Sequence, residues 1–190
     1  MSETKKTDRR MVRTQTQLRQ ALHELILEKP YERISVQDIL DRANIGRSTF
    51  YAHFQDKDDL LLNSLPEKIL NFEENSQVLV PSLVPIFTHA QENYRLLRAL
   101  MGSEGIALTF KVGQKQALHD WLTHITRLQG EGMALDLPPL VVAHYLTGAF
   151  ATLLRWWLDE KMPYTPEEMD VMFRRLAMQG LGDTADRETL

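Results

Sequence analysis

The chain has 190 residues, of which 43% are hydrophobic and 25% charged. This balance is typical of a soluble globular protein with one or two domains. The absence of cysteine excludes disulfide bonds, thiolate zinc sites and cysteine nucleophiles. The first ten residues contain no apolar run and do not resemble a secretory signal peptide, so we expect a cytoplasmic protein.

The charge of the chain is unevenly distributed. The formal net charge is −4, yet residues 1–55 carry 10 Lys and Arg against 7 Asp and Glu, whereas residues 56–190 carry 12 against 19. Taken alone, a basic N-terminal region is most often a solvated arm. Beside a DNA-binding motif, the same distribution is typical of a segment that contacts phosphates.

The first predicted element is an amphipathic helix over about residues 9–29. Its apolar side chains recur at the spacing of one helix face, at Leu18, Ala21, Leu22, Leu25 and Ile26. Pro30 is predicted to stop this helix because proline cannot donate a backbone hydrogen bond.

Two short helices follow, with a tight turn between them. Ser35, with Asp38 three residues later, is close to a capping box and predicts where the first of them starts. The buried face of this helix consists of Val36, Ile39, Leu40 and Ala43. The turn spans residues 44–46, where Asn and Gly tolerate positive φ and Ile45 can pack into the angle between the helices.

The second short helix, predicted over residues 47–54, buries one face and leaves the other free. Phe50 and Phe54 lie four residues apart and anchor the helix to the core. The side chains predicted to point away from these anchors are Ser48, Ala52 and Gln55, with Thr49, Tyr51 and His53 on the flanks. A free face of small polar and basic side chains suits a helix that enters the major groove of DNA.

This region resembles the DNA-binding head of the TetR family of bacterial transcriptional repressors. The resemblance is carried by the helix-turn-helix followed by Thr49-Phe50-Tyr51-x-His53-Phe54-x-x-Lys57-x-x-Leu60-Leu61. The motif covers roughly residues 9–62, and beyond it the resemblance depends on chain length, helical content and an aromatic-rich helix pair near the C-terminus. Where the family often has Ser or another capping residue, this chain has Gly46, which predicts a weakly capped second helix.

The residues and the resemblance together predict the DNA contacts. Arg47 is the candidate for a bidentate bond to guanine, and Ala52 for contact with a thymine methyl group. Tyr51 and Lys57 match family positions that contact phosphates, although Tyr51 can alternatively pack against the first helix. The full predicted set is Arg47, Ser48, Thr49, Tyr51, Ala52, His53 and Lys57.

A fourth helix is predicted from Lys57 into the low seventies, with Asp56 as its N-cap and a kink or interruption at Pro66. A polar stretch over residues 71–77 follows. We expect a DNA-binding domain over residues 1–62 and an effector-binding and dimerisation domain over residues 63–190.

Helices are predicted in the second domain at residues 81–93, 94–101, 104–128, 138–159 and 166–181, before a loose tail over residues 183–190. No strand pattern is present. The predicted fold is all-α: a three-helix N-terminal helix-turn-helix head joined by a fourth helix to a helical-bundle body.

The segment from Leu140 to Leu158 is almost continuously apolar and close to the length of a membrane span. His144 and Arg155 interrupt it, and no basic loop flanks it on one side. We therefore favour a helix that packs against its own domain and against a partner subunit. The predicted homodimer interface contains Leu146, Phe150, Leu153, Trp156, Trp157 and Met172.

The resemblance also implies a pocket for a small, largely apolar effector in the second domain. The candidate lining residues are Phe87, Tyr94, Phe110, Trp121 and His144, although aromatic side chains at helical spacing are more often core. No hydrolase, phosphate-loop or metalloprotease motif is present. His119 and His124 are five residues apart, a poor spacing for shared metal ligation. We expect neither enzymatic activity nor a cofactor or metal.

Three functions remain in competition. The leading hypothesis is a ligand-responsive homodimeric repressor that binds double-stranded DNA at a palindromic operator through the helix at 47–54. The alternative is a DNA-binding activator or architectural factor without a small-molecule effector. A helical enzyme or carrier with an accidental helix-turn-helix pattern is disfavoured by the missing catalytic motifs.

Overall fold

The computed structural model describes residues 2–64, 70, 72 and 76–181, and the side chains of residues 11–64, 70, 72 and 76–179. Within these residues the chain is helical, without a β-strand, which confirms the predicted all-α class. The helices are α1 (Ser2–Glu28), α2 (Val36–Ala43), α3 (Arg47–Tyr51), α4 (Lys57–Leu62), α5 (Val84–Glu92), α6 (Tyr94–Leu100), α7 (Glu104–Gly130), α8 (Pro139–Asp159) and α9 (Pro166–Leu181). A 3-10 turn, Tyr31–Arg33, lies between α1 and α2.

The described residues pack into two compact units that are not consecutive along the chain. The first unit contains residues up to 64 together with 95–112, and the second contains 70–94 together with residues from 113 onward. The first unit therefore includes most of α6 and the beginning of α7. Besides the residues of the predicted first domain, the first unit thus contains 95–112; the predicted domain boundary at residue 62 stays a prediction.

The core of the first unit is built from the predicted helix faces. The apolar stripe of α1 is buried, as are Ile39 and Leu40 of α2. Leu100 and Ile106, from the segment 95–112, belong to the same core. Removal of these apolar side chains from water is the main driving force that holds the short helices together.

The turn between α2 and α3 has a left-handed residue, and that residue is Asn44. Its φ and ψ are 52° and 48°, whereas Gly46 is extended at φ −72°. Asn tolerates this conformation better than most residues because its short polar side chain bonds locally. The predicted capping box is confirmed, since Ser35 accepts from the Asp38 amide and Asp38 accepts from the Ser35 amide.

Helix α4 starts where it was predicted but ends early. Asp56 caps it by accepting a hydrogen bond of 2.8 Å from the Asp59 amide. The predicted continuation into the low seventies is wrong, because Leu70 and Phe72 are not helical. Pro66 and its predicted kink lie outside the described residues, as does the predicted tail over residues 183–190.

Local chemistry explains the early end of α4. The side chains of Asn63 and Ser64 donate to the carbonyl oxygens of Asp59 and Leu60, at 2.8 and 3.0 Å. The Ser64 hydroxyl supplies a donor to the Leu60 carbonyl, because the Ser64 amide bonds to the Leu61 carbonyl instead. Proline two residues later has no amide hydrogen with which to extend the helix.

The second unit has an aromatic core between α5, α8 and α9. The ring of Phe87 contacts those of Phe150 and Trp157 edge-on, with centroids 5.6 and 5.4 Å apart. Phe150 in turn contacts Phe173 at 5.9 Å. Asp170, also buried, accepts a hydrogen bond of 2.6 Å from the amide of Leu83. These contacts tie α9 to the start of α5.

Candidate DNA-binding surface

Helix α3 is short but firmly anchored. Regular helix ends at Tyr51, earlier than predicted. A hydrogen bond of 2.9 Å from the Phe54 amide to the Phe50 carbonyl still has the helical spacing of four residues. The side chains of Phe50 and Phe54 are both buried in the core of the first unit. The predicted anchors are therefore confirmed, and they fix which face of α3 is free.

That free face carries the side chains that the sequence pattern predicted. The exposed residues are Arg47, Ser48, Thr49, Tyr51, Ala52 and Gln55, while His53 is half-buried. Tyr51 is 53% exposed, with its ring edge-on to Phe50 at 5.3 Å. Such exposure disfavours the alternative in which Tyr51 packs against α1.

Arg47 occupies the first position of α3, beyond a glycine that provides no side-chain cap. Its guanidinium Nη2 donates to Oε1 of Gln37, 3.3 Å away on α2. The side-chain amide nitrogen of Gln37, Nε2, donates in turn to Asp41 Oδ1 at 2.8 Å. Sequence patterns did not predict this chain of contacts, because Gln37 and Arg47 are on different helices.

Lys57 has neighbours that the sequence did not indicate. Its ammonium donates to the carbonyl oxygens of Tyr31 and Ile34, at 2.9 and 3.0 Å, and lies 4.4 Å from the centre of the Tyr31 ring. The Tyr31 hydroxyl donates to Asp58 Oδ1 at 2.5 Å. Burial, and then the nearby Asp58 carboxylate, raise the pKa of Tyr31. These bonds give Lys57 a structural role in the head. Its contact with a DNA phosphate remains a prediction.

Two other basic side chains of the head, Arg42 and Lys29, are engaged in ion pairs. Arg42 pairs with Glu24 and Glu28, at 3.3 and 2.6 Å, and its hydrogen bond lowers the pKa of the Glu28 carboxyl. Lys29 pairs with Asp38 at 2.9 Å. Among the described residues, Arg47 has no carboxylate within ion-pair distance, so its charge is not neutralised by such a contact.

The five predicted effector-pocket residues do not share one set of neighbours. Phe87 is in the aromatic core of the second unit, whereas Trp121 contacts Phe72, with ring centroids 4.5 Å apart. Phe110 packs against the core of the first unit, because the start of α7 belongs to that unit. Its role in an effector pocket stays a prediction.

The other two candidates for the effector pocket are not fully buried. Tyr94 is half-buried and His144 is exposed.

A groove of about 420 Å³ lies in the first unit, between the end of α1 and the turn before α7, lined by residues 26–32, 99 and 101–103. It contains none of the predicted pocket residues. The indole N–H of Trp121 is fully buried and has no hydrogen-bond partner among the described residues.

The six residues predicted for the dimer interface differ in exposure, and the interface itself stays a prediction. Leu146, Phe150 and Trp157 are buried in the second unit's own core. Leu153 and Met172 are half-buried, and Trp156 is 42% exposed. The large apolar side chains that α8 and α9 do expose are Leu140, Val141, Tyr145, Trp156, Val171, Leu176 and Met178.

Because successive helical residues are about 100° apart, a run of apolar residues divides between core and surface. The buried positions on α8 follow the face that packs on α5 and α9.

In the described part of the chain, none of the helices combines the length and apolar character needed to cross a membrane.

Comparisons with known proteins match both parts of the chain. Residues 18–63 match the family model described as "Bacterial regulatory proteins, tetR family". Residues 79–179 match a second model, described as "Transcriptional regulator C-terminal region". The two matches together span the helix-turn-helix and most of the second unit.

Individual relatives agree with these matches. The chain is 25% identical over 167 residues to an uncharacterised helix-turn-helix-type transcriptional regulator, YxbF, of Bacillus subtilis; the match covers 86% of this chain and 44% of that protein. The chain thus spans less than half of that relative's length.

Solved structures show the same fold over nearly the whole chain. A TetR-family regulator from Syntrophomonas wolfei aligns with a TM-score of 0.72 at 21% identity, covering 92% of this chain and 98% of that one. A TetR regulator from Streptococcus agalactiae aligns with a TM-score of 0.63 at 25% identity, covering 92% and 99%. TetR-family proteins are DNA-binding transcription factors and not enzymes. The matched models, the relatives and the helix-turn-helix with its anchored α3 agree: this chain belongs to the TetR family of bacterial transcriptional regulators.

Proposed function

We propose that this regulator is a homodimeric repressor that binds a palindromic operator and releases it in response to a small effector. The observation that carries the DNA-binding part is the free face of α3, which is anchored by two buried phenylalanines and exposes Arg47, Ser48, Thr49, Tyr51 and Ala52. A helix held this way can enter the major groove without losing its own packing.

The two ends of this surface suit different parts of DNA. Arg47 lies at the N-terminal end of α3, where recognition helices usually meet base edges, and its planar guanidinium fits guanine O6 and N7. Tyr51 lies one turn further on and offers an exposed phenol for a phosphate oxygen. Thr49 and the half-buried His53 flank the same surface and can add phosphate bonds.

TetR-family regulators act as dimers, and α8 and α9 supply the surface that we propose for dimerisation here. Val141, Tyr145 and Trp156 are exposed along α8, and Val171 along α9. Apolar patches of this kind on a helix pair are typical of subunit interfaces. A two-fold dimer presents two copies of α3, which makes an approximately palindromic operator the natural target.

For the effector we propose a largely apolar molecule bound in the second unit. The unpartnered indole N–H of Trp121 supports this, because a buried donor without an acceptor costs free energy that a ligand can recover. Effector binding would favour a dimer conformation in which the distance between the two DNA-binding heads no longer matches the spacing of the half-sites. The effect of the effector on DNA affinity can be no larger than the difference between its own affinities for the DNA-bound and the released conformations. We propose a cytoplasmic location, where the operator DNA is.

The test is selection of fragmented genomic DNA by the purified protein, followed by sequencing. The proposed function predicts enrichment of a short palindrome at a few promoters, with lower transcription when the protein is present in a reporter strain. Higher transcription from the same promoter would favour an activator. Many unrelated sites without a shared motif would instead favour an architectural factor.

A further inference from the structure

Two hydrogen bonds connect Asp41, Gln37 and Arg47 in a line across the helix-turn-helix. Asp41 and Gln37 are one turn apart on α2, and Gln37 Nε2 donates to Asp41 Oδ1 at 2.8 Å. Gln37 Oε1 then accepts from Arg47 Nη2 at 3.3 Å. Both helices are packed on the core of the first unit, α2 through Ile39 and Leu40 and α3 through Phe50. The three exposed relay side chains meet at the surface above that core.

The chemistry of the three groups determines the direction of these bonds. A carboxylate only accepts, so Asp41 requires the NH₂ end of the Gln37 amide. The opposite end, the carbonyl oxygen, therefore faces α3, where it meets a guanidinium that only donates. Turning the amide over would place oxygen against carboxylate and N–H against guanidinium, and both contacts would be repulsive. Asp41 thus orients Gln37, and Gln37 presents an acceptor to Arg47.

Arg47 receives little support from its own helix. It begins a short helix behind a glycine without a side-chain cap, and its side chain is exposed. An exposed arginine samples many rotamers, and confining it on binding costs conformational entropy. A neighbour that limits those rotamers beforehand lowers this cost.

We propose that Gln37, held by Asp41, is a positioning residue that directs the Arg47 guanidinium toward a guanine in each half-site. This inference rests on the proposed DNA-binding function and deepens it by assigning base preference to a relay between α2 and α3. One Nη2 hydrogen is used by Gln37. The other guanidinium donors can still form the fork that guanine requires.

The experiment is selection from a random double-stranded DNA library, with sequencing, for wild type, Arg47→Ala, Gln37→Leu, Asp41→Ala and the double variant Gln37→Leu/Arg47→Ala. Wild type is expected to select guanine at one position per half-site, and Arg47→Ala to lose that preference. Gln37→Leu should weaken the same preference by about threefold to tenfold, the effect of one hydrogen bond. Asp41→Ala should weaken it less, and Gln37→Leu should add nothing once Arg47 is absent.

Two further variants serve as controls. Gln20→Leu removes a comparable glutamine, which donates to Glu24 at 3.1 Å on α1, and it should leave the selected motif unchanged. The double variant Gln37→Glu/Asp41→Asn reverses the donor and acceptor of this pair, keeps an acceptor beside Arg47 at the same net charge, and should preserve the guanine preference. Asp41 lies near the C-terminus of α2, where a negative charge opposes the helix dipole. Asp41→Ala should therefore leave thermal stability equal to that of wild type or higher.

Other outcomes overturn the inference. If Gln37→Leu alters a different base position and does so with Arg47 absent as well, then Gln37 reads a base itself. If it lowers affinity equally for all sequences, Gln37 contacts phosphate. If wild type selects a palindrome and Gln37→Leu selects the same one unchanged, only the relay is wrong. If wild type enriches no sequence, the proposed function fails along with the relay.

Discussion

The ammonium of Lys57 lies 4.4 Å from the centre of the Tyr31 ring and donates to the carbonyl oxygen of the same tyrosine at 2.9 Å. Lys57 is the first residue of α4, and Tyr31 belongs to the short turn before α2. The contact therefore connects the two sides of the helix-turn-helix. The resemblance assigns Lys57 to phosphate binding, whereas its bonds indicate that it also stabilises the head.

We predict that Lys57→Met lowers the stability of the head. Hydrogen bonds from a charged donor contribute about 1.5–3 kcal/mol, and partial exposure of this lysine reduces the expected loss to about 1–2 kcal/mol. Thermal unfolding measures it, with the exposed Lys111→Met as the control. In parallel, the salt dependence of operator binding tests the phosphate role: loss of that contact lowers the slope by about one per subunit. An unchanged melting temperature would contradict the structural role.

For Tyr51→Phe we predict weaker DNA binding with unchanged folding. The substitution removes only a hydroxyl from a side chain that is more than half exposed, so the free energy of unfolding should change by less than about 0.5 kcal/mol. Affinity for operator and non-operator DNA should fall by similar factors, because a phosphate contact carries no base information. Tyr164→Phe, an exposed tyrosine of the second unit, is the matched control. A clear loss of melting temperature in Tyr51→Phe would support the packing role instead.

Two glycines of α7 should respond oppositely to alanine. A Cβ on Gly105 would lie 2.9 Å from Cδ1 of Tyr31 and 3.1 Å from Leu100, whereas Gly113 has nothing within 4 Å. Tyr31 cannot easily move, because its hydroxyl is bonded to Asp58 and its ring lies beside Lys57. Gly105→Ala should therefore destabilise the protein by about 1–2 kcal/mol. Gly113→Ala should stabilise it by up to about 1 kcal/mol through helix propensity. Equal effects at both positions, measured by denaturant unfolding, would contradict this account.

The adjacent tryptophans of α8 provide a test of the proposed dimer. Trp156 is 42% exposed, whereas Trp157 is fully buried and donates its indole N–H to the Tyr164 carbonyl oxygen at 2.9 Å. Trp156→Asp should produce folded monomers with weakened operator binding, which sedimentation and circular dichroism would show. Trp157→Asp should unfold the second unit, since a carboxylate there would be buried without a partner. A Trp156→Asp protein that remains dimeric would place the interface elsewhere.

The capping box of α2 predicts a specific pH dependence. Hydrogen bonds from the Ser35 hydroxyl and amide, followed by the bond from Lys29, lower the pKa of the Asp38 carboxyl well below its usual range. A carboxyl whose pKa is lower in the folded state stabilises the fold above its unfolded pKa of about 3.9 and loses this contribution as the pH falls. Wild type should therefore be more stable than Asp38→Asn at neutral pH, and the difference should narrow below about pH 4. Asp41→Asn controls for the loss of one charge on the same helix. A difference independent of pH would exclude the ionised carboxylate as its source.

Some features of this protein follow from residues that are close together in sequence. The capping box of Ser35 and Asp38 and the cap at Asp56 each involve groups within one helical turn. The spacing of Phe50 and Phe54 likewise places both on one helix face. Short-range patterns therefore predicted the helix-turn-helix and its free face, and the resemblance of its motif to the TetR family predicted a DNA-binding regulator.

The tertiary structure alone determined which remote groups meet. Phe110 packs against the core of the first unit. Trp157, and not Trp156, is buried in the core of the second unit. Lys57 reaches Tyr31 across 26 residues, and Arg47 reaches Gln37 across 10. Helical periodicity indicates that a side chain is on one face or another, but the choice between core and surface depends on which helix packs there. That packing is set by the sum of many weak contacts over the whole chain, which no local pattern contains.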